Sequence, residues 1–81
     1  MTNKEKLKGL FLDVFLLEES EFKFDLMREE VETWDSLGVV SMAVGVEETF
    51  GYHLTPEEAT SLQGIQDLIN ILESKGIPFN E

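Results

Sequence analysis

The 81-residue chain contains no cysteine, a single histidine and only two prolines. The absence of cysteine excludes a disulfide framework and a cysteine-based zinc site, and it fits a reducing compartment, so we expect a cytoplasmic protein. No histidine pair, calcium loop or glycine-rich phosphate loop is present, so we expect no metal site in the chain. The longest uncharged apolar stretch, residues 37–46, is about half the roughly 20 residues of a membrane-spanning helix, so no membrane insertion is expected.

Basic residues are also scarce, at 6 against 17 acidic residues, and the formal net charge is −11. Such a surface repels phosphate groups, so we expect no binding to nucleic acid. From Glu29 through Ser74 there is no lysine or arginine, whereas ten acidic residues lie in that span. This distribution favours partners with basic protein surfaces. A hydrophobic content of 42% is too high for a disordered acidic tail and indicates a small, soluble globular protein, which we expect to be a monomer.

The N-terminus has some likeness to a secretion signal, because three lysines precede a short apolar run. Asp13 interrupts that run, and Glu18, Glu19 and Glu21 occupy the place of a small-residue cleavage site. We therefore expect the N-terminal residues to belong to the mature fold. The length predicts one domain over residues 1–81.

The first helix is predicted from a capping box and an apolar stripe. Thr2 and Glu5 have the spacing of the box. The stripe has the 3.6-residue period of one buried helix face and comprises Leu7, Leu10, Phe11, Val14 and Leu17. Further apolar residues at Leu12, Phe15 and Leu16 widen it, so we expect the far end of this helix to be well covered.

The remaining pattern predicts an all-α four-helix bundle with a short third helix and a long loop between helices one and two. That loop covers residues 18–33, where we expect four apolar residues to pin it to the core: Phe22, Phe24, Leu26 and Val31. Helix two is predicted from Ser36 to Phe50, with a cap at Asp35, a hydrophobic staple of Trp34 and Val39 around that cap, and a terminator at Gly51. A short helix three is predicted to begin at the capping sequence Thr55-Pro56-Glu57-Glu58 and to end before Gly64. Helix four is predicted from Ile65 to Ser74 and is stopped by Gly76 and Pro78.

The second helix has two apolar faces. One face suits the core and consists of Val39, Met42, Ala43, Val46 and Phe50. The opposite face consists of Leu37, Val40 and Val44, with Glu47 and Glu48 beside it. Either the long loop covers this second face, or it is an exposed protein-binding surface with an acidic edge. The absence of basic residues from this half of the chain favours the docking surface.

Three segments together resemble the acyl carrier protein family. They are Asp35-Ser36-Leu37-Gly38-Val39-Val40, Val46-Glu47-Glu48-Thr49-Phe50-Gly51 and Leu54-Thr55-Pro56-Glu57-Glu58-Ala59. Members of that family typically show Asp-Ser-Leu, an apolar and acidic helix ending in Glu-Glu-x-Phe, and a short acidic helix after a loop. The resemblance is in register over residues 35 to about 72.

The resemblance implies a non-catalytic carrier rather than an enzyme. Ser36, within the motif Asp35-Ser36-Leu37, would be the attachment point of 4′-phosphopantetheine. A phosphopantetheinyl transferase, using magnesium, would transfer that group from coenzyme A to the Ser36 hydroxyl. Acyl groups would then be held as thioesters on the arm, and acyl-loading and acyl-transfer enzymes would be the other partners.

The same resemblance assigns two further sets of residues. Positions that family members present to the basic docking surfaces of their partner enzymes correspond to Leu37, Val40, Val44, Glu47 and Glu48. The core, where an acyl chain would also be sheltered, would be lined by Val39, Met42, Val46, Phe50, Leu68 and Leu72.

Some positions depart from the fatty-acid members of the family. Gly38 and Ser41 stand where those members commonly have acidic residues, and Val44 replaces a frequent methionine. Gly45 lies inside the helix, where its small size would admit a close neighbour. These departures leave both fatty-acid and specialised, polyketide-like biosynthesis open, with an aminoacyl or peptidyl carrier as a further alternative.

Two alternative functions outside the carrier class give Ser36 a different role. As a hydrolase nucleophile it would need His53, but no Gly-x-Ser-x-Gly turn is present, and His53 is expected to be a solvated loop residue. In an unmodified acidic interaction module, Ser36 would only begin the helix. Acceptance of phosphopantetheine by Ser36 distinguishes this module from a carrier.

Overall fold

The computed structural model describes residues 2–79, which fold into a small helical bundle. Its four α-helices are α1 (Asn3–Val14), α2 (Ser36–Phe50), α3 (Pro56–Ser61) and α4 (Ile65–Ser74). Within the described span there is no β-strand, only an isolated antiparallel bridge between Met27 and Gly64. The predicted all-α class, with four helices of which the third is short, is confirmed.

The helix starts form as their local sequences predict. The Thr2 hydroxyl accepts a hydrogen bond from the Glu5 N–H at 3.1 Å, and the Glu5 carboxylate accepts one from the Thr2 N–H at 3.0 Å. Thr55 and Glu58 form the same reciprocal box at the start of α3. Each box satisfies two backbone donors that a helix start would otherwise leave free.

The core is built from all four helices and from the segment between α1 and α2. Among the residues predicted to line it, Val39, Met42, Val46, Leu68 and Leu72 are buried. Phe50 is only half-buried and packs against Phe79, with ring centroids 5.6 Å apart. In α1, Leu7 and Phe11 are buried, whereas Leu10, Val14 and Leu17 are half-buried.

The end of α1 differs from the prediction. The apolar stripe was expected to continue to Leu17, but the helix stops at Val14, and Leu16 adopts a left-handed conformation with φ 57°. The N–H of Leu17 then donates to the carbonyl of Leu12 at 3.1 Å, which closes the helix end. A side chain in this conformation costs roughly 1–2 kcal/mol, which is why glycine usually occupies such positions.

The expectation that the far end of α1 is well covered is wrong for Leu16. Its side chain is 79% exposed, while Phe15 is almost fully buried. The helical spacing no longer applies beyond Val14, because the left-handed residue turns the chain and separates the directions of Phe15 and Leu16.

The segment between α1 and α2 contains two single-turn 3₁₀ helices, Glu19–Glu21 and Arg28–Glu30. Two of the four apolar residues expected to pin it to the core, Leu26 and Val31, are buried. The other two, Phe22 and Phe24, are half-buried and also pack against the core. Their rings contact each other edge to face, with centroids 5.0 Å apart.

The start of α2 is fixed by an aromatic cluster of Phe11, Phe15 and Trp34. The Trp34 ring stacks on Phe15 with centroids 5.1 Å apart and contacts Phe11 edge-on at 5.5 Å. Aromatic pairs of this kind contribute about 0.5–1.5 kcal/mol beyond their buried area. Because Trp34 immediately precedes the Asp35 cap, the cluster sets where α2 begins relative to α1. Within residues 2–79, no helix has the length and apolarity to cross a membrane.

Candidate functional site

Ser36 is the first residue of α2 and lies on the surface. The Asp35 carboxylate before it accepts a hydrogen bond from the Gly38 N–H at 3.0 Å, so Asp35 is the helix cap, as predicted. No side chain or backbone group in the described span hydrogen-bonds to the Ser36 hydroxyl. The oxygen is therefore free to react with a group brought from outside.

The surroundings of Ser36 fit a covalently bound phosphate. The hydroxyl lies at the positive end of the α2 dipole, which stabilises an exposed anion by typically 0.3–1 kcal/mol. Ser36 is exposed, and so is the Leu37 side chain beside it at 80%, so the serine is open to solvent. A phosphodiester on Ser36 would keep its linked chain in solvent.

Gly38 allows α2 to begin close to the end of α1. A Cβ atom at this position would overlap the backbone oxygen of Thr33 and lie 2.8 Å from the ring of Phe15. The Thr33 hydroxyl in turn donates to the Phe15 carbonyl at 2.8 Å. The sequence does not predict this contact directly; a glycine in the first turn of a helix is the signal that indicates it.

The second apolar face of α2 is exposed. Leu37, Val40 and Val44 are 80%, 62% and 51% exposed, so the segment between α1 and α2 does not cover them. Glu47 and Glu48 are exposed beside this face. We call these five residues the α2 surface; contact of partner enzymes with it stays a prediction.

A groove of about 290 Å³ runs between α2 and α3. The groove was not predicted from the sequence, because its shape depends on how the two helices approach each other. Its lining is mainly apolar and consists of Val39, Val40, Ala43, Val44, Glu47, His53, Leu54, Pro56, Ala59 and Thr60. The groove therefore opens next to the α2 surface.

The loop between α2 and α3 is held by two polar contacts. The Tyr52 hydroxyl donates to the Glu58 carboxylate at 2.7 Å. The pKa of Glu58 is lowered, first by the backbone N–H of Thr55 and then by the Tyr52 hydroxyl, whereas the same hydrogen bond raises the pKa of Tyr52. His53 Nδ1 lies 2.8 Å from Glu47 Oε1 at the rim of the groove.

The geometry excludes a Ser36–His53 catalytic pair. Ser36 begins a helix of 15 residues, whereas His53 follows its end. At 1.5 Å per residue, α2 is about 22 Å long, far beyond hydrogen-bond reach. His53 is exposed, in agreement with the prediction of a solvated loop residue.

No protein-family model matches the chain. Three proteins named acyl carrier protein are similar to it. The relative from Coprothermobacter proteolyticus is 29% identical over 70 residues, or 86% of this chain and 85% of the relative. Those from Solidesulfovibrio magneticus and Petrotoga mobilis are 29% and 27% identical over 93% and 88% of this chain, and over 96% and 84% of their own lengths. These similarities over most of the chain support the family that the sequence motifs predicted, the acyl carrier proteins.

Proposed function

We propose that residues 1–81 form one carrier domain that holds acyl or related intermediates on a 4′-phosphopantetheine arm attached to Ser36. The observation that carries the proposal is the exposed, unbonded hydroxyl of Ser36 at the start of α2, within Asp35-Ser36-Leu37. The names of the three relatives support a carrier role. We further propose that the protein is a monomer and that it acts in the cytoplasm.

The attachment reaction needs little from the chain itself. A phosphopantetheinyl transferase with magnesium would join the Ser36 oxygen to the phosphorus of the phosphopantetheine group, with release of the nucleotide part of coenzyme A and of the hydroxyl proton. Asp35 holds the first turn of α2 through the Gly38 N–H, and thereby orients Ser36 toward solvent. The arm supplies a terminal thiol that forms thioesters with the cargo.

The chain's own side chains do not compete with the arm. The sequence has no cysteine, so no protein thiol can take the cargo by thioester exchange. In the proposed role the chain is a substrate of its partner enzymes rather than a catalyst.

Partner enzymes would dock on the α2 surface. Its apolar residues supply area that becomes buried on contact, and Glu47 and Glu48 attract a basic rim. Since charges at a rim act mainly on the association rate, docking should weaken as the salt concentration rises.

The groove between α2 and α3 is suited to the apolar part of a cargo. Its volume of about 290 Å³ lies near the lower end of the roughly 300–1,000 Å³ of small-molecule pockets. The apolar part of a fatty-acid intermediate or of a polyketide-like intermediate suits this groove. An aminoacyl or peptidyl cargo is the alternative within the carrier class.

The test is modification of the purified chain by coenzyme A, magnesium and a broad-specificity phosphopantetheinyl transferase, followed by intact mass measurement. The proposal predicts a gain of one phosphopantetheine unit on the parent and none on Ser36→Ala. Both proteins should unfold at similar urea concentrations, because the Ser36 side chain is exposed. An unmodified parent, both in this assay and in protein from its native source, would instead indicate an acidic interaction module.

A further inference from the structure

The end of α1 requires a left-handed residue at position 16, but it does not require the leucine side chain of Leu16. Leu16 has φ 57°, where glycine is strongly preferred, and its side chain is 79% exposed. A leucine here contributes almost nothing to the core and strains the backbone. Since glycine would serve the helix end better, the leucine side chain is best explained by a contact outside the fold.

Leu16 lies at the same end of the molecule as Ser36. The carbonyl of Phe15, next to Leu16 in the chain, accepts the hydrogen bond from the Thr33 hydroxyl, and the Phe15 ring lies against Gly38 in the first turn of α2. The end of α1 is thus joined directly to the start of α2. A standard interface of about 800 Å² per partner would readily cover both Leu16 and Ser36.

The surface beside Leu16 is acidic. A groove of about 340 Å³ at this end is lined in part by Leu16 and by three acidic residues, Glu21, Glu30 and Glu32. Glu30 is paired with Lys23 at 3.2 Å, but no lysine or arginine belongs to this lining among the residues that the structure describes. An exposed leucine beside carboxylates fits a partner with an apolar pocket and a basic edge.

We propose that Leu16 is a contact residue for the enzyme that attaches phosphopantetheine to Ser36, so that the docking surface extends from α2 onto the end of α1. This inference rests on the proposed function of Ser36. The position of Leu16 near Ser36 favours the attaching enzyme as the partner, because this enzyme must bring its own active site to the Ser36 oxygen. Enzymes that act later react at the far end of the arm, so their docking on the α2 surface need not extend to Leu16 at the end of α1.

The test compares Leu16→Gly and Leu16→Asn with the parent in the transferase assay and in urea unfolding. Glycine and asparagine both tolerate the left-handed conformation, and neither offers an apolar side chain. We expect both variants to unfold at urea concentrations equal to or above that of the parent. Their kcat/KM for modification should fall about tenfold, mainly through a higher KM, because a buried apolar contact is lost.

Two controls make the outcome specific. Leu37→Asn, on the α2 surface, should also raise KM. Gly9→Ala, in the middle of α1 with open space around its new methyl group, should stabilise the fold and leave kcat/KM unchanged.

The possible failures differ from one another. If the parent and Gly9→Ala are modified and the Leu16 variants have the same kcat/KM, Leu16 is not a contact, while the proposed function stands. If the Leu16 variants lose stability together with activity, the side chain has a structural role and the inference is wrong. If the parent is not modified while a known carrier is, the proposed function fails and this inference fails with it.

Discussion

Gly45 of α2 lies directly against Leu10 of α1, and a Cβ atom at residue 45 would overlap Leu10 Cδ1. The close neighbour expected for this glycine is therefore present. Gly45→Ala would gain about 1 kcal/mol of helix propensity but would meet an overpacking cost of about 1–3 kcal/mol. We expect a net loss of roughly 1 kcal/mol in the free energy of unfolding, measured by urea denaturation.

The same substitution should change sign when Leu10 is shortened. In a Leu10→Ala background the methyl group at residue 45 has space, so Gly45→Ala should stabilise the fold by about 1 kcal/mol. A double-mutant cycle measures this coupling. Equal effects of Gly45→Ala in the two backgrounds would show that Leu10 does not limit the approach of the helices.

Two glycines in helices should respond in opposite ways to alanine. At Gly38 the new Cβ would overlap the backbone oxygen of Thr33, which cannot rotate away, so Gly38→Ala should lower the free energy of unfolding by about 1–3 kcal/mol. At Gly9 no atom lies within 4 Å of the new Cβ, so Gly9→Ala should raise the free energy of unfolding by about 1 kcal/mol. Urea unfolding of both variants tests the pair; a stabilising Gly38→Ala would contradict the close contact between α1 and α2.

These contacts show what the sequence could and could not predict. The caps at Thr2, Asp35 and Thr55 depend on residues three positions apart, so they were recognised correctly from local spacing. The end of α1 was not recognised correctly, because a leucine at a left-handed position gives no stop signal of the kind that Gly51 gives.

The candidate site was predicted in the same uneven way. The Asp35-Ser36-Leu37 motif singles out Ser36 as the attachment point, which stays a prediction. Helical periodicity identified the two apolar faces of α2 but did not decide whether the second face is covered. That depends on the path of the segment between α1 and α2, which is set by contacts distant in sequence, such as that of Thr33 with Phe15. The groove between α2 and α3 was missed for the same reason.

Glu58 should contribute to the loss of stability in acid. Its pKa is held below the ordinary value of 4.5, first by the Thr55 N–H and then by the Tyr52 hydroxyl. Folding therefore favours the carboxylate, and its stabilisation is present above pH 4.5 and lost as the pH falls through the lowered pKa. Glu58→Gln should show a smaller difference in urea midpoint between about pH 6 and about pH 3 than the parent.

The control for Glu58 is its neighbour in α3. Glu57→Gln removes the same charge from the first turn of the helix but none of the hydrogen bonds to Tyr52 and Thr55. If both variants reduce the difference in urea midpoint between about pH 6 and about pH 3 equally, the net charge of α3 is responsible rather than the capping contacts. Tyr52→Phe should give a part of the Glu58→Gln effect, since it removes only the second contact.

Filling the groove between α2 and α3 should displace an apolar cargo. Ala43 is half-buried and lines the groove, so Ala43→Leu would occupy its space while changing the free energy of unfolding by less than about 1 kcal/mol. With an octanoyl thioester on the arm, amide shifts at Val40, Leu54 and Ala59 should move clearly in the parent and much less in Ala43→Leu. Ser41→Leu, on the same helix but outside the groove lining, should retain the parent's response. Equal shifts in all three proteins would place the cargo outside this groove.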